Sequence, residues 1–128
     1  MERVLVDTSA WIDALRKDGD PEIRTAVRSV TAEGRAVLCD TVRVELWNGA
    51  SGRAEQKLLR ELERNLECLP TTPEVWETAL DLARSCRRQG LTLPATDLVI
   101  AACAYHHEVS LLHHDGHFDQ ITESQPKN

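Results

Sequence analysis

The sequence predicts an α/β protein, a three-layer α/β/α sandwich built on a mostly parallel sheet. Three observations carry this. Four apolar runs, at residues 3–6, 36–39, 67–69 and 110–112, have the length of strands and are too short for helices. Between them lie longer segments whose apolar residues recur at helical spacing. Strands that alternate with helices require crossover connections, which are right-handed and cover both faces of a parallel sheet.

The elements follow in order. VLV runs directly into Asp7, so a buried strand ends on a carboxylate at the edge of the sheet. Residues 10–16 read as a helix that Asp7 or Ser9 can cap. Residues 21–33 form a helix opened by Pro21 and closed by Gly34, and 41–47 a shorter one. A turn spans Gly49 to Gly52. Over 53–66 the leucines at 58, 59, 62 and 66 share one face. The helix at 73–89 turns Val75, Trp76, Ala79, Leu82, Ala83 and Cys86 inward and stops at Gly90. LTLPATD leads into an apolar helix at 98–105, and a last short helix follows Gly116. Residues 125–128 are expected to be a frayed tail.

A chain of 128 residues fits a single domain, residues 1–128, with a real core. No signal peptide and no segment long enough to span a bilayer stand out, so the expected location is cytoplasmic, with no membrane partner. Cys39, Cys68, Cys86 and Cys103 are scattered singly, without a CxxC pair, and read as reduced core residues. The formal charge of −6 argues against nucleic-acid binding by bulk attraction; any grip on phosphate must be local.

Four acids stand in apolar company: Asp7 at the end of the first strand, Glu45 inside VRVELW, Asp97 before LVIAACA, and Asp115 after SLLHH. A buried, unpaired carboxylate is costly, and Arg43 is the nearest cation in sequence. In an open parallel sheet, strand ends and the helix starts that follow them face one crevice. Asp7, Asp97 and Asp115 belong there, and Glu45 has the reach to join them. Such a cluster repels itself unless a cation sits within it, and oxygen ligands select Mg²⁺ or Mn²⁺. Taken singly, Asp7 and Asp97 also suit helix caps, and Glu45 suits a salt bridge with Arg43 or a solvated face.

VDTSAWID, VRVELWNG, LPATDLVIAACA and LLHHDGHF, in this order and spacing, resemble the PIN-domain ribonucleases, and specifically the VapC toxins of toxin–antitoxin pairs. The resemblance implies the sandwich fold and a Mg²⁺- or Mn²⁺-dependent endoribonuclease. It assigns Asp7, Glu45, Asp97 and Asp115 as the catalytic, metal-holding acids, with Thr8 and Ser9 as supporting polar groups. It also implies a homodimer and a cognate VapB-type antitoxin. Members of the family often carry a hydroxyl residue before the fourth acid and an Asp two places after it, in a TxDxDF pattern. Here those positions hold His114 and His117, and His117 and Asp119 are candidates for the missing carboxylate's place.

HHDGH also invites a zinc reading, but adjacent residues on a strand point to opposite faces, which disfavours it. His113 is expected to pack against the sheet, His106 and His107 to support a helix C-terminus, and His117 to lie in an exposed loop. For an RNA substrate, Arg53, Lys57, Arg60 and Arg64 follow one helical face and could line a groove; Glu61 and Glu67 could instead pair with that face. Trp11 and Trp47 suit core packing, with base stacking or antitoxin contact as the alternative. Hydrolysis by attack of water would leave a 5′-phosphate and a 3′-hydroxyl.

Rival classes fit less well. A dehalogenase-like phosphatase wants an Asp where Ser9 stands, and a receiver-like domain wants a late lysine, whereas Lys127 is the only lysine in the last third. A degenerate PIN module that binds RNA or a protein without cutting is the non-enzymatic alternative.

Overall fold

The computed structural model describes residues 2–124, with side chains through Ile121. The tail expected at 125–128 lies outside the described residues. The chain runs β1 (Val4–Val6), α1 (Thr8–Leu15), α2 (Pro21–Ala32), β2 (Ala36–Cys39), α3 (Asp40–Gly49), α4 (Arg53–Asn65), β3 (Cys68–Leu69), α5 (Pro73–Arg88), α6 (Ala95–His106), β4 (Ser110–Leu112) and α7 (Gly116–Ser124).

The strands order β3-β2-β1-β4, and all three pairings are parallel. Helices flank this sheet, as the alternating pattern predicts. β1 and β2 occupy its centre, and every residue of both is buried, which is why they read as continuous apolar runs. The register sets Val6 against Leu112, and the Asp7 amide donates to the Leu112 carbonyl at 2.9 Å. The parallel ladder therefore carries the chain beyond Leu112 alongside Asp7.

Local chemistry opens the helices. Asp20 accepts from the amides of Glu22 and Ile23 ahead of Pro21, and Thr72 accepts from that of Val75 ahead of Pro73. Gly34 and Gly90, at φ of 72° and 76°, follow the ends of α2 and α5. Between α1 and α2, Gly19 approaches the Asp13 backbone so closely that a Cβ would stand 1.9 Å from its carbonyl oxygen. Only glycine fits that turn.

The core gathers β1, β2 and the inner faces of the helices, including Trp11, Val42, Leu59, Leu69, Val75, Ile100 and Ile121. Cys39, Cys86 and Cys103 are buried, Cys68 is half-buried, and all four are free thiols. A hydrogen bond with Cys103, together with burial, pushes the Cys39 thiol far above its ordinary range. Among the described residues no helix is long and apolar enough to cross a membrane.

Several expectations change. Trp76 is 52% exposed rather than inward, and Leu80 beside it is 47% exposed. Val75, Ala79, Leu82 and Cys86 already fill the stripe that faces the core, and Trp76 lies one position, about 100°, off it. Leu58 is open for the same reason, one step off the face that buries Leu59. Helix α1 begins at Thr8 instead of residue 10, because Asp7 caps it. Helix α6 begins at Ala95 instead of residue 98, which puts Asp97 inside its first turn.

Candidate active site

The C-terminal edge of the sheet collects side chains from β1, α6, β4 and α7. Asp7 follows β1 and is 3% exposed. Its Oδ2 accepts from the Ser9 amide at 3.0 Å and the Ser9 hydroxyl at 2.6 Å, so Asp7 is indeed the α1 cap. Its Oδ1 is buried with no hydrogen-bond partner. Two buried nitrogens, Trp11 Nε1 and Arg24 Nε, share that condition, but they are not anionic. A carboxylate oxygen stripped of donors is the costlier orphan, and a cation beside it would offset that cost.

Asp97, 7% exposed, is held by the first turn of α6, where Pro94 occupies the cap position and supplies no side-chain bond. Burial pushes its carboxyl above the ordinary range. The charges of Asp115 and Asp7 add to that rise, and the hydrogen bond with His117 opposes it. Asp115 follows β4. Its Oδ1 accepts from the His117 amide at 2.9 Å, which fixes the start of α7. The His117 ring turns back, with Nδ1 2.9 Å from Asp97 Oδ2 and 3.0 Å from Asp115 Oδ1. One ligand atom from each of Asp97, Asp115 and His117 lies within 4.8 Å of the others.

Glu45 approaches from the middle of α3. Thr8, the residue after Asp7, donates its hydroxyl to Glu45 Oε1 at 2.8 Å. The alternative pairing with Arg43 does not form: Arg43 Nε donates to Glu63 at 2.7 Å and its Nη1 to Asp40 at 3.3 Å. Among the described residues no hydrogen bond joins Glu45 to Asp7, Asp97 or Asp115. Glu45 and Thr8 instead head a groove of about 410 Å³, walled by Ile12, Leu15 and Leu58 among others.

Ser9 ties the two ends of the site. Its hydroxyl donates to Asp7 Oδ2 and accepts from the His114 amide at 2.9 Å. The His114 ring meets Asp13 Oδ2 at 2.5 Å, and Asp13 Oδ1 accepts from the Asp20 amide at 3.0 Å. The Asp20 amide, and then His114, hold the Asp13 carboxyl low, while Asp13 raises the imidazole of His114. Sequence reasoning missed Asp13; its place in VDTSAWID gave no sign of a partner 101 residues away.

The histidines divide accordingly. His113 packs on Phe118, ring centroids 5.1 Å apart, and His107 Nε2 bonds the Pro70 carbonyl at 2.8 Å beyond the end of α6. His117, expected in an exposed loop, sits half-buried in the first turn of α7, because Asp115 starts that helix. Asp119 does not enter the vacant acidic position. Two residues further along α7 it faces outward, 73% exposed, with His113 Nε2 3.7 Å away.

Arg53, Lys57, Arg60 and Arg64 are exposed along α4. Among the described residues none is held in an ion pair. Glu67 is engaged by Arg3 at 3.0 Å, so it does not neutralise that face. The Arg60 guanidinium lies 5.6 Å from the centre of the half-buried Trp47 ring, and Trp11 belongs to the core.

Fold and site define the class: an α/β/α protein with an acidic cluster at the C-terminal edge of a parallel sheet. The chain belongs to the PIN-domain family, whose model matches residues 4–124. Among curated relatives, ribonuclease VapC11 of Mycobacterium tuberculosis is 30% identical over 121 residues, covering 92% of this chain and 90% of its own. Among solved structures, VapBC2 of Rickettsia felis, bound to a promoter DNA fragment, superposes with a TM-score of 0.77 at 19% identity, covering 92% of both chains. VapC20 of Mycobacterium tuberculosis, a sarcin-ricin loop cleaving toxin, superposes with a TM-score of 0.68 at 22% identity, covering 91% of this chain and 93% of its own. The VapC resemblance and the sandwich fold expected from the motifs are thereby borne out.

Proposed function

We propose that the chain is a divalent-metal-dependent endoribonuclease, the toxin of a VapBC-type pair restrained by a VapB antitoxin. Membership of the PIN family and the likeness to VapC ribonucleases support the nuclease and the pairing. The observation that carries the metal dependence is Asp7 Oδ1, a buried carboxylate oxygen without a partner, whose charge is felt by the equally buried Asp97. The donor set fits a hard divalent cation: Asp7, Asp97 and Asp115 would hold it, with Glu45 reaching in from α3.

When bound, Mg²⁺ or Mn²⁺ acidifies water and neutralises the scissile phosphate. The protein's own residues do the rest. Ser9 fixes the rotation of Asp7, Thr8 fixes that of Glu45, and the backbone of His117 fixes that of Asp115. Their carboxylates set where the phosphodiester lies relative to the water that attacks it. Attack by water leaves a 5′-phosphate and a 3′-hydroxyl and does not use the 2′-hydroxyl. Arg53, Lys57, Arg60 and Arg64 supply the local positive face that an RNA needs on a chain of net charge −6. Homodimerisation belongs to the same reading, and sedimentation of the purified chain tests it.

The deciding experiment incubates total RNA with the protein in Mg²⁺, Mn²⁺ or EDTA, beside Asp7→Ala, and maps the new ends. Cuts at a few sites, abolished by EDTA and reduced at least about 100-fold in the variant, are expected. Folded, antitoxin-free protein that cuts under neither metal would leave only the RNA- or partner-binding module. Products ending in a 2′,3′-cyclic phosphate would overturn the water-attack scheme.

A further inference from the structure

We propose that His117 is itself a ligand of the ion, making the centre a mixed nitrogen and oxygen site that prefers Mn²⁺ to Mg²⁺; this rests on reading the acidic cluster as a metal site. Geometry is the first ground. His117 Nδ1 stands 2.9 Å from Asp97 Oδ2 and 3.0 Å from Asp115 Oδ1. Adjacent ligand atoms on an octahedral ion with bonds of about 2.1 Å are separated by about 3.0 Å. Both edges that meet at the imidazole nitrogen therefore match the spacing of neighbouring ligands on one ion, and the hydrogen bond drawn there in the metal-free protein is the one an ion would replace.

Placement is the second ground. The His117 backbone is anchored by Asp115, so the ring is delivered to the cluster by the same turn that delivers the acid. Its neighbours are committed elsewhere, His113 to Phe118 and His114 to Asp13, which leaves one imidazole for the site. The third ground is independent of the histidine. Asp7 Oδ1, buried and unpartnered on a residue whose charge acts on Asp97, is carboxylate capacity beside the cluster that no protein donor uses.

The chemistry then sets the preference. Mg²⁺ takes oxygen ligands and gains little from imidazole, whereas Mn²⁺, a first-row transition ion though the weakest nitrogen binder of its series, accepts an imidazole beside carboxylates. His117 brings the cluster one nitrogen donor where a carboxylate would bring another oxygen and another negative charge. Both features move the site away from Mg²⁺.

Pulsed electron paramagnetic resonance of the Mn²⁺-loaded full chain reads this without any cleavage assay. Nitrogen hyperfine coupling is expected in the native protein and lost in both His117→Asp and His117→Gln. Competition between the two ions should show the ratio of Mn²⁺ to Mg²⁺ affinity falling about tenfold in His117→Asp. Mn²⁺ bound tightly and lost in Asp97→Asn, but without nitrogen coupling, would overturn the His117 assignment and leave the acidic metal site standing. Coupling that persists in both His117 variants would assign the nitrogen to another residue and overturn it too. Mn²⁺ binding indifferent to Asp97→Asn and Asp115→Asn would remove the metal site and this inference together.

Discussion

The two oxygens of Asp7 have different surroundings. Oδ2 caps α1 through Ser9, and Oδ1 is buried without a donor. A cap and a ligand were competing readings of the sequence, and the structure has room for both. Ser9 is consequently more than a neighbour. Ser9→Ala deletes the 2.6 Å bond to Asp7 and the acceptor for the His114 amide. It should lower stability by about 1–2 kcal/mol in urea titration and metal affinity by about tenfold in calorimetry.

Asp97 makes a pH prediction whose sign is fixed by its environment. Burial, with the charges of Asp115 and Asp7, raises its native pKa above the unfolded value of about 4. The neutral form is therefore favoured by folding. Its contribution to stability is complete below the ordinary carboxylate range and is lost as pH rises through the raised native pKa. Urea unfolding in EDTA should show this loss in the native protein. Asp97→Asn should remove that segment of the pH dependence; an unchanged profile would mean that Asp97 is not strained in the metal-free fold.

At the scale of elements, α5 shows where patterning succeeds and where it misleads. The stripe of Val75, Ala79, Leu82 and Cys86 was legible because helical spacing repeats it. Trp76 was misplaced because its apolar character was taken as burial, and large apolar side chains do remain at surfaces. Leu82→Ala should cost about 2–5 kcal/mol by thermal unfolding, whereas Trp76→Ser should stay within about 0.5 kcal/mol. A large loss at Trp76 would place it in packing after all.

Helix starts mattered more for the site than helix bodies. Starting α6 at Ala95 carries Asp97 into the first turn, and starting α7 at Gly116 turns His117 inward. The α7 start was expected just after Gly116 and is found there, whereas the α6 start and the inward turn of His117 were not legible. Pro94 caps α6 without a side-chain bond, and α7 is begun by Asp115, an acid already given another task.

For the whole molecule, parallel alternation was enough to bring strand ends to one edge. What it could not supply was the finer arrangement there. That Glu45 answers to Thr8, that Arg43 turns to Glu63, and that Asp119 points away all depend on contacts between segments distant in sequence. The overall charge also hides a local contrast. The exposed bases of α4 stand free of ion pairs among the described residues, on a chain that is acidic as a whole. Reversing Arg60 and Arg64 to Glu should raise the KM for RNA about tenfold or more, flatten its salt dependence, and spare kcat. Unchanged cleavage would dismiss α4 as the RNA-facing surface.

The link from the His114 amide through the Ser9 hydroxyl to Asp7 joins the first acid to the segment that delivers the last. Until β4 pairs with β1, that link does not exist, Val6 lies on an open sheet edge, and Asp115 has no seat. Asp7, at the end of β1, thus becomes part of a cluster only when the segment carrying Asp115 and His117 docks beside it. The last strand therefore acts as the clasp that closes the centre.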